Sequence, residues 1–143
     1  MIQRLWIDGC LPSLNEYIDE CRSHPKKGGA FKKTWQNYVR QHIRSVKIRP
    51  VLQARFNFVW IEKNKRRDKD NISSFGRKII LDALVEENII ANDGWNHVVN
   101  WTDHFYVFDK DKKNKPGILV LIEDLSDKEI GEDKRGEEWL KTS

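Results

Sequence analysis

The segment Arg67-Asp68-Lys69-Asp70-Asn71 holds the residues whose types and spacing point most directly to chemistry. Asp68 and Asp70 lie two positions apart, so an extended backbone would place both carboxylates on the same side. Close carboxylates repel each other, and a hard divalent cation such as Mg²⁺ relieves that repulsion while it takes oxygen ligands. Such a metal activates water and stabilises the charge that develops when a phosphodiester is hydrolysed. The segment therefore predicts a metal-dependent phosphodiesterase site, which a third carboxylate from elsewhere would complete.

Purely structural interpretations of the same acidic residues compete with this one. Asp70 or Asn71 could cap the helix that follows. An EF-hand loop that starts at Asp68 is excluded, because its sixth position would be Ser73 instead of glycine. Asp93-Gly94 alone is typical of a hairpin turn. Residue types and spacing by themselves leave both catalytic and structural roles open.

A set of short motifs in a fixed order resembles the RusA-type Holliday junction resolvases. The set comprises Asp68-Lys69-Asp70-Asn71, then Lys78-Ile79-Ile80-Leu81-Asp82-Ala83-Leu84, then Asn92-Asp93, within 26 residues. Each motif is short, whereas the ordered combination is much more specific. The opening Leu11-Pro12-Ser13-Leu14-Asn15-Glu16-Tyr17, after a predicted first strand, is also similar to the beginning of that family. The resemblance therefore covers roughly residues 1–122.

The resemblance implies a structure-selective endonuclease that resolves Holliday junctions in DNA recombination and repair. It implies that Asp68, Asp70 and Asp93 bind the metal, which we expect to be Mg²⁺, with Mn²⁺ as the alternative. Lys78 completes the catalytic set, and its expected role is to orient the scissile phosphate or stabilise transition-state charge. The resemblance also implies a homodimer. Two-fold symmetry would present two sites to the two equivalent strands of a four-way junction.

The chain departs from the family pattern in two places. Lys78 follows Asp70 by eight positions, whereas the lysine of the family follows its aspartate by about one helical turn. The extra turn should keep Lys78 on nearly the same helix face but displace it by about 6 Å along the axis. If it then fails to reach the phosphate, Lys69 or Arg77 could replace it. The second departure is Asn92, which stands where the family has the first residue of an acidic pair, so the site carries one charge fewer.

The charge distribution favours a polyanionic partner. The net charge is +4, and residues 22–49 contain nine Lys or Arg and no acidic residue, whereas residues 123–143 carry eight acidic and four basic residues. A basic body suits DNA because each neutralised phosphate releases counterions, although an ordinary solvated surface explains the composition equally well. We expect the DNA backbone to be contacted by Lys26, Lys27, Lys32, Lys33, Lys63, Lys65, Arg66, Arg67 and Lys69.

The hydrophobic pattern predicts an α/β (α+β) fold: one small mixed sheet of about four strands packed against helices, in the order β-α-α-β-α-β-β. The clearest strand is Leu52–Ile61, in which apolar and polar residues alternate. Helices are expected from a capping box at Ser13, over residues 31–46 and over residues 71–87. The basic segment 23–30 is expected to form a mobile loop. A catalytic domain should span residues 1–124, and residues 125–143 should form a charged, flexible tail.

Composition excludes several broad classes. At 143 residues, with 38% hydrophobic and 34% charged residues, the chain fits one globular domain and not a disordered segment. No apolar run is long enough to cross a bilayer, and no signal peptide is visible. We therefore expect a cytoplasmic protein in which Cys10 and Cys21 are reduced. The alternatives to a resolvase are a non-catalytic branched-DNA-binding protein, a flap or fork nuclease, and an accessory factor of phage or mobile-element origin.

Overall fold

The computed structural model of this protein describes residues 1–112 and 115–125. Within these residues the predicted order β-α-α-β-α-β-β and the mixed α/β architecture are both confirmed. The elements are β1 (Ile2–Asp8), α1 (Leu14–Ser23), α2 (Lys27–Ser45), β2 (Ala54–Glu62), α3 (Lys69–Glu86), β3 (Val98–Val107), a short 3₁₀ helix (Lys110–Lys112) and β4 (Gly117–Asp124). Leu125, one residue beyond the predicted domain boundary, is buried and bonds to the backbone of Gln53. The rest of the predicted tail lies outside the described residues.

The four strands form a single sheet in the order β1-β4-β2-β3. β4 is antiparallel to both β1 and β2, whereas β3 runs parallel to β2. A parallel pair needs a crossover connection, and α3 supplies it by carrying the chain from the end of β2 back to the start of β3. Strand β3 forms one edge of the sheet. Because α3 follows β2 directly, the start of α3 lies beside the carboxyl ends of both parallel strands.

Strand β2 shows the predicted alternation. Ala54, Phe56, Phe58 and Trp60 are all buried in the core, and the residues between them are partly exposed. Because Phe56, Phe58 and Trp60 are buried within one chain, they are not available to a dimer interface. Leu52, predicted to belong to the same buried face, is 64% exposed, because it precedes the strand and is not held by the strand pairing.

The first two helices begin in different ways. The predicted capping box of α1 is confirmed: the Glu16 backbone N–H donates to the Ser13 hydroxyl at 3.2 Å, and the Ser13 N–H donates to the Glu16 carboxylate. The predicted loop over 23–30 is too long: only residues 24–26 connect the two helices, since α2 already begins at Lys27. Gly28 explains the difference: it is buried against Cys21 of α1, where a Cβ atom would clash with the thiol. The glycine permits close helix packing instead of marking a loop.

Helix α3 carries the predicted apolar face, with Ile72, Phe75, Ile79, Ala83 and Leu84 all buried. It contains a glycine in its interior, at a cost of roughly 0.5–1 kcal/mol relative to alanine. The reason is Trp60, since a Cβ atom on Gly76 would lie only 2.8 Å from the indole ring. The contact between Gly76 and Trp60 lets α3 lie directly on the buried face of β2, and this sets the distance between the helix and the sheet.

Glu87, at the carboxyl end of α3, ties that helix to α2. Its carboxylate accepts hydrogen bonds from the side chains of Arg40 and Arg44, both at 2.8 Å. The hydrogen bond from Arg40 holds the pKa of Glu87 below its ordinary value. A carboxylate shared by two cations on the neighbouring helix should contribute measurably to stability.

We expect Glu87→Gln to lower the free energy of unfolding by about 1 kcal/mol at neutral pH. Because the folded-state pKa lies below the ordinary value of 4.5, this contribution is present above 4.5 and is lost as the pH falls through the lowered pKa. Urea unfolding at about pH 7 and about pH 3 would measure the effect. Glu20→Gln, on α1, is the matched control. A difference from wild type that persists unchanged at the lower pH would contradict the interpretation.

Candidate functional site

The two motif carboxylates lie where the chain enters α3. Asp68 is the N-cap residue, with extended backbone angles of φ −70° and ψ 147°, and its side chain makes no capping hydrogen bond. Asp70 is already in the first helical turn. The predicted extended backbone across both residues is therefore wrong, because the helix begins at Lys69. Both carboxylates are exposed, and within the described part of the chain neither forms an ion pair or a side-chain hydrogen bond.

Polar contacts of Arg67 and Asn71 fix the loop that presents these carboxylates. Arg67 donates to both carboxylate oxygens of Glu62, at 2.8 and 3.0 Å, and to the backbone carbonyl of Leu11 at 2.8 Å. The side chain of Asn71 accepts from the backbone N–H of Asn15 at 2.9 Å, which joins α1 to α3. Arg67, which we expected to contact DNA, has its guanidinium engaged inside the protein. It therefore positions the loop.

The predicted catalytic lysine lies in a cluster of alternating charge. The Lys78 ammonium is 2.8 Å from Asp93 and 3.2 Å from Asp82, and Asp82 is in turn 2.9 Å from Lys32. The hydrogen bond from Lys78 lowers the pKa of Asp93, and the same bond raises the pKa of Lys78. The structure thus brings together two of the predicted site residues that lie 15 positions apart.

The structure does not assemble all the predicted site residues into one group. Helix α3 is continuous from Lys69 to Glu86, so Lys78 lies about 12 Å farther along its axis than Asp70. Among the described residues, no group of three or more His, Cys, Asp or Glu side chains is placed to hold a metal ion. The site therefore has two parts: the free pair Asp68 and Asp70, and Asp93 neutralised by Lys78.

The chemistry of the free pair fits a hard cation. Mg²⁺ is commonly bound by only one or two protein carboxylates, with waters and substrate phosphates as its other ligands. Asp68 and Asp70 offer such carboxylate oxygens at an exposed position. Asp93 would join them only after it separated from Lys78, since the carboxylate oxygen nearest the lysine is already hydrogen-bonded.

The predicted DNA-contacting residues fall into free and engaged cations. Lys26, Lys27 and Lys33, near the start of α2, are exposed. The loop that follows β2 exposes a second basic group, comprising Lys63, Lys65 and Arg66. Lys32 is paired with Asp82, and the ammonium of Lys69 lies 5.9 Å from the centroid of the Phe105 ring. Two basic surfaces are therefore available to phosphates.

We expect the double substitution Lys26→Ala with Lys27→Ala to weaken junction binding and to flatten its salt dependence. Each lost phosphate contact should reduce the slope of log K against log salt by about 0.9, so two contacts give a change of about 1.8. Fluorescence anisotropy over a series of salt concentrations measures both quantities. The paired substitution Lys110→Ala with Lys112→Ala, in the short 3₁₀ helix, is the control. An unchanged slope would show that the start of α2 does not contact DNA.

Sequence reasoning missed a group of residues on β3. Asp103 accepts hydrogen bonds from Arg77 at 2.5 Å and from the indole N–H of Trp60 at 3.0 Å. The Arg77 guanidinium also lies over the ring of Trp101, 5.0 Å from its centroid. The available signal was Asp103 itself, an acidic residue at a strand position that faces an aromatic core. Its partners Arg77 and Trp60 are distant in sequence, so spacing does not reveal them.

Comparison with known proteins adds no assignment: no protein-family model matches the chain, and no curated protein matches it either. None of the described helices combines the length and the apolar character that a bilayer crossing requires. Cys10 and Cys21 are both free thiols. The functional conclusion therefore depends on the residues and their geometry.

Proposed function

We propose that this chain is a Mg²⁺-dependent endonuclease that cuts branched DNA, with the four-way junction as its substrate. The observation that carries the proposal is the pair of exposed carboxylates at the start of α3, Asp68 and Asp70, which have no side-chain partner among the described residues and lie next to the basic loop of Lys63, Lys65 and Arg66. The same helix presents Lys78, which contacts Asp93. These are the residues on which the resemblance to RusA-type resolvases depends.

Each residue has a role that its surroundings support. Asp68 and Asp70 would hold the metal, and Asp93 would join them when it is released from Lys78. The bound metal would activate water and stabilise the charge on the phosphate oxygens. Lys78 is 52% exposed, so a phosphate oxygen can approach its ammonium and replace Asp93 as its partner. A charge-assisted hydrogen bond of that kind would orient the phosphate and stabilise developing charge.

The basic surfaces would hold the arms of the junction. Contacts from Lys26, Lys27 and Lys33 to phosphates would position the duplex without reading its sequence. We further propose that the enzyme acts as a homodimer, because a two-fold axis would bring one site to each of two opposed strands. Paired incisions would then follow from symmetry.

A non-catalytic branched-DNA-binding protein is the second candidate. It is favoured by the salt bridge between Lys78 and Asp93, which neutralises one of the predicted ligands. The lack of a three-carboxylate group among the described residues favours it as well. A flap or fork nuclease would use the same residues as a resolvase and differ only in its preferred substrate.

The decisive experiment compares a labelled immobile four-way junction, a replication fork, a flap and a linear duplex, each with Mg²⁺, Mn²⁺ or EDTA. We expect metal-dependent, paired nicks in opposing strands of the junction. Tight junction binding without cleavage at any Mg²⁺ concentration would support the binding protein. Preferential cleavage of the fork or flap would support the related nuclease. Equal cleavage of the linear duplex would overturn structure selectivity.

A further inference from the structure

A groove runs between α3 and the edge strand β3. Because β3 pairs in register with β2, residues 101, 103, 105 and 107 point to the helix side of the sheet. Trp101 is 45% and Val107 is 37% exposed, and Phe105 is partly buried against the core. The edge of the sheet thus leaves a strip of apolar and aromatic surface open beside α3.

Two cations of α3 lie over the two aromatic rings of this strip. Arg77 is over Trp101 at 5.0 Å, and Lys69 is over Phe105 at 5.9 Å. The helix separates its two cations by eight residues, about 12 Å. The strand separates its two rings by four residues, about 13 Å. The spacing of the cations along the helix matches the spacing of the rings along the strand, so the groove carries two similar cation–aromatic pairs along its length.

The end of the groove nearest Asp68 opens into a cavity of about 730 Å³, lined among others by Lys65, Lys69, Phe105 and Val107. Cavities of roughly 300–1,000 Å³ are typical of small-molecule binding sites. Glu62 also lines it, but its charge is balanced by Arg67. In the described part of the chain, Lys65 and Lys69 have no carboxylate partner. Among the described residues the cavity therefore combines apolar walls with positive charge that no carboxylate pairs with, beside a predicted metal ligand.

We propose that this groove binds a single DNA strand whose bases are unpaired, with the bases stacked on Trp101 and Phe105 and the phosphates on Lys65 and Lys69. Stacking on aromatic side chains combined with basic side chains is how single strands are bound without sequence preference. The inference rests on the proposed function, because the unpaired strand is that of a branched substrate. It would deliver the backbone to Asp68 at the mouth of the cavity, and it gives a physical basis for preferring branch points to duplex.

The test measures binding in EDTA, so that it does not depend on cleavage. The probes are two fluorescein-labelled four-way junctions, one with unpaired thymines at the branch point and one with abasic sites at the same positions. We expect wild type to bind the thymine junction about tenfold more tightly, since stacking contributes about 1–3 kcal/mol per base. Trp101→Ala and Phe105→Leu should each reduce this ratio to below about twofold. Trp101→Phe and Phe105→Tyr should retain it.

Trp95→Ala is the control, because Trp95 is 91% exposed but precedes β3 and so lies outside the groove. A ratio near one in wild type, or a ratio lost in Trp95→Ala but not in Trp101→Ala, would overturn the inference. So would a Trp101→Ala variant that changed only the oligomeric state in sedimentation, which would make β3 a contact between two copies. Cleavage of the junction without base preference would reject this inference alone. Base preference without cleavage in Mg²⁺ would reject the nuclease alone.

Discussion

Asp70→Asn should lower the rate of junction cleavage by about 10²–10³-fold while leaving junction affinity in EDTA unchanged. The substitution keeps the size of the side chain and removes the charge that would hold the cation. A metal that stabilises several kcal/mol of transition-state charge corresponds to a change of this size. Asp70 is exposed and its carboxylate has no partner among the described residues, so we expect the fold to be unaffected. Single-turnover cleavage at several Mg²⁺ concentrations measures the loss.

Asp19→Asn is the matched control for this experiment. Asp19 is also an exposed aspartate on a helix, but it lies on α1, away from the motif. It should cut the junction at the wild-type rate. If Asp70→Asn cuts as fast as Asp19→Asn, the acidic motif does not bind a catalytic metal, and the non-catalytic binding protein becomes the better explanation. If it instead loses affinity in EDTA, Asp70 contributes to folding or binding and not to catalysis.

The salt bridge between Lys78 and Asp93 would have to separate before Asp93 could bind a metal in the proposed site. The pair is partly exposed, and such pairs contribute little to stability. Breaking this salt bridge should therefore cost little free energy when a phosphate replaces Asp93 as the partner of Lys78 and a cation replaces Lys78 as the partner of Asp93. The spacing of eight positions between Asp70 and Lys78 has a direct consequence here. It places the backbone of Lys78 about 12 Å farther along the helix axis than that of Asp70, and the Lys78 ammonium contacts Asp93. A substrate would therefore have to contact both parts of the proposed site.

The elements that the sequence predicts well are those with a strong local pattern. Strand β2 alternates without interruption from Ala54 to Trp60, and α3 repeats its apolar residues at helical spacing. The capping box at Ser13 depends on residues only three apart. In each case the physical cause lies within one segment, so the sequence contains it.

The predictions that are wrong depend on contacts between segments. The sequence around Gly28 predicts a loop, but the glycine packs against Cys21, which lies on another helix. Leu52 continues the alternation of β2, yet the strand begins only at Ala54. Spacing within the motif predicted one acidic group. The tertiary structure instead pairs Asp93 with Lys78, which no pattern of spacing specifies.

Trp60→Ala should cause the largest loss of stability, about 3–5 kcal/mol in the free energy of unfolding. Only 1% of Trp60 is exposed to solvent. It stacks on Phe58, with ring centroids 5.8 Å apart, and its N–H donates to Asp103. Its removal would leave a cavity under Gly76, whose missing side chain makes room for the ring. Urea unfolding followed by circular dichroism measures the change.

Trp60→Phe keeps the experiment informative if the alanine variant does not fold. Phenylalanine preserves the stacking on Phe58 but loses the hydrogen bond to Asp103 and part of the contact with Gly76, so the loss should be intermediate, at about 1–3 kcal/mol. Trp95→Ala removes the same side chain from an exposed position and should change stability by less than about 0.5 kcal/mol. Equal effects at positions 60 and 95 would contradict the packing described for α3. Because α3 carries Asp70 and Lys78, a displaced helix in Trp60→Phe should also slow cleavage, which links the core to the proposed site.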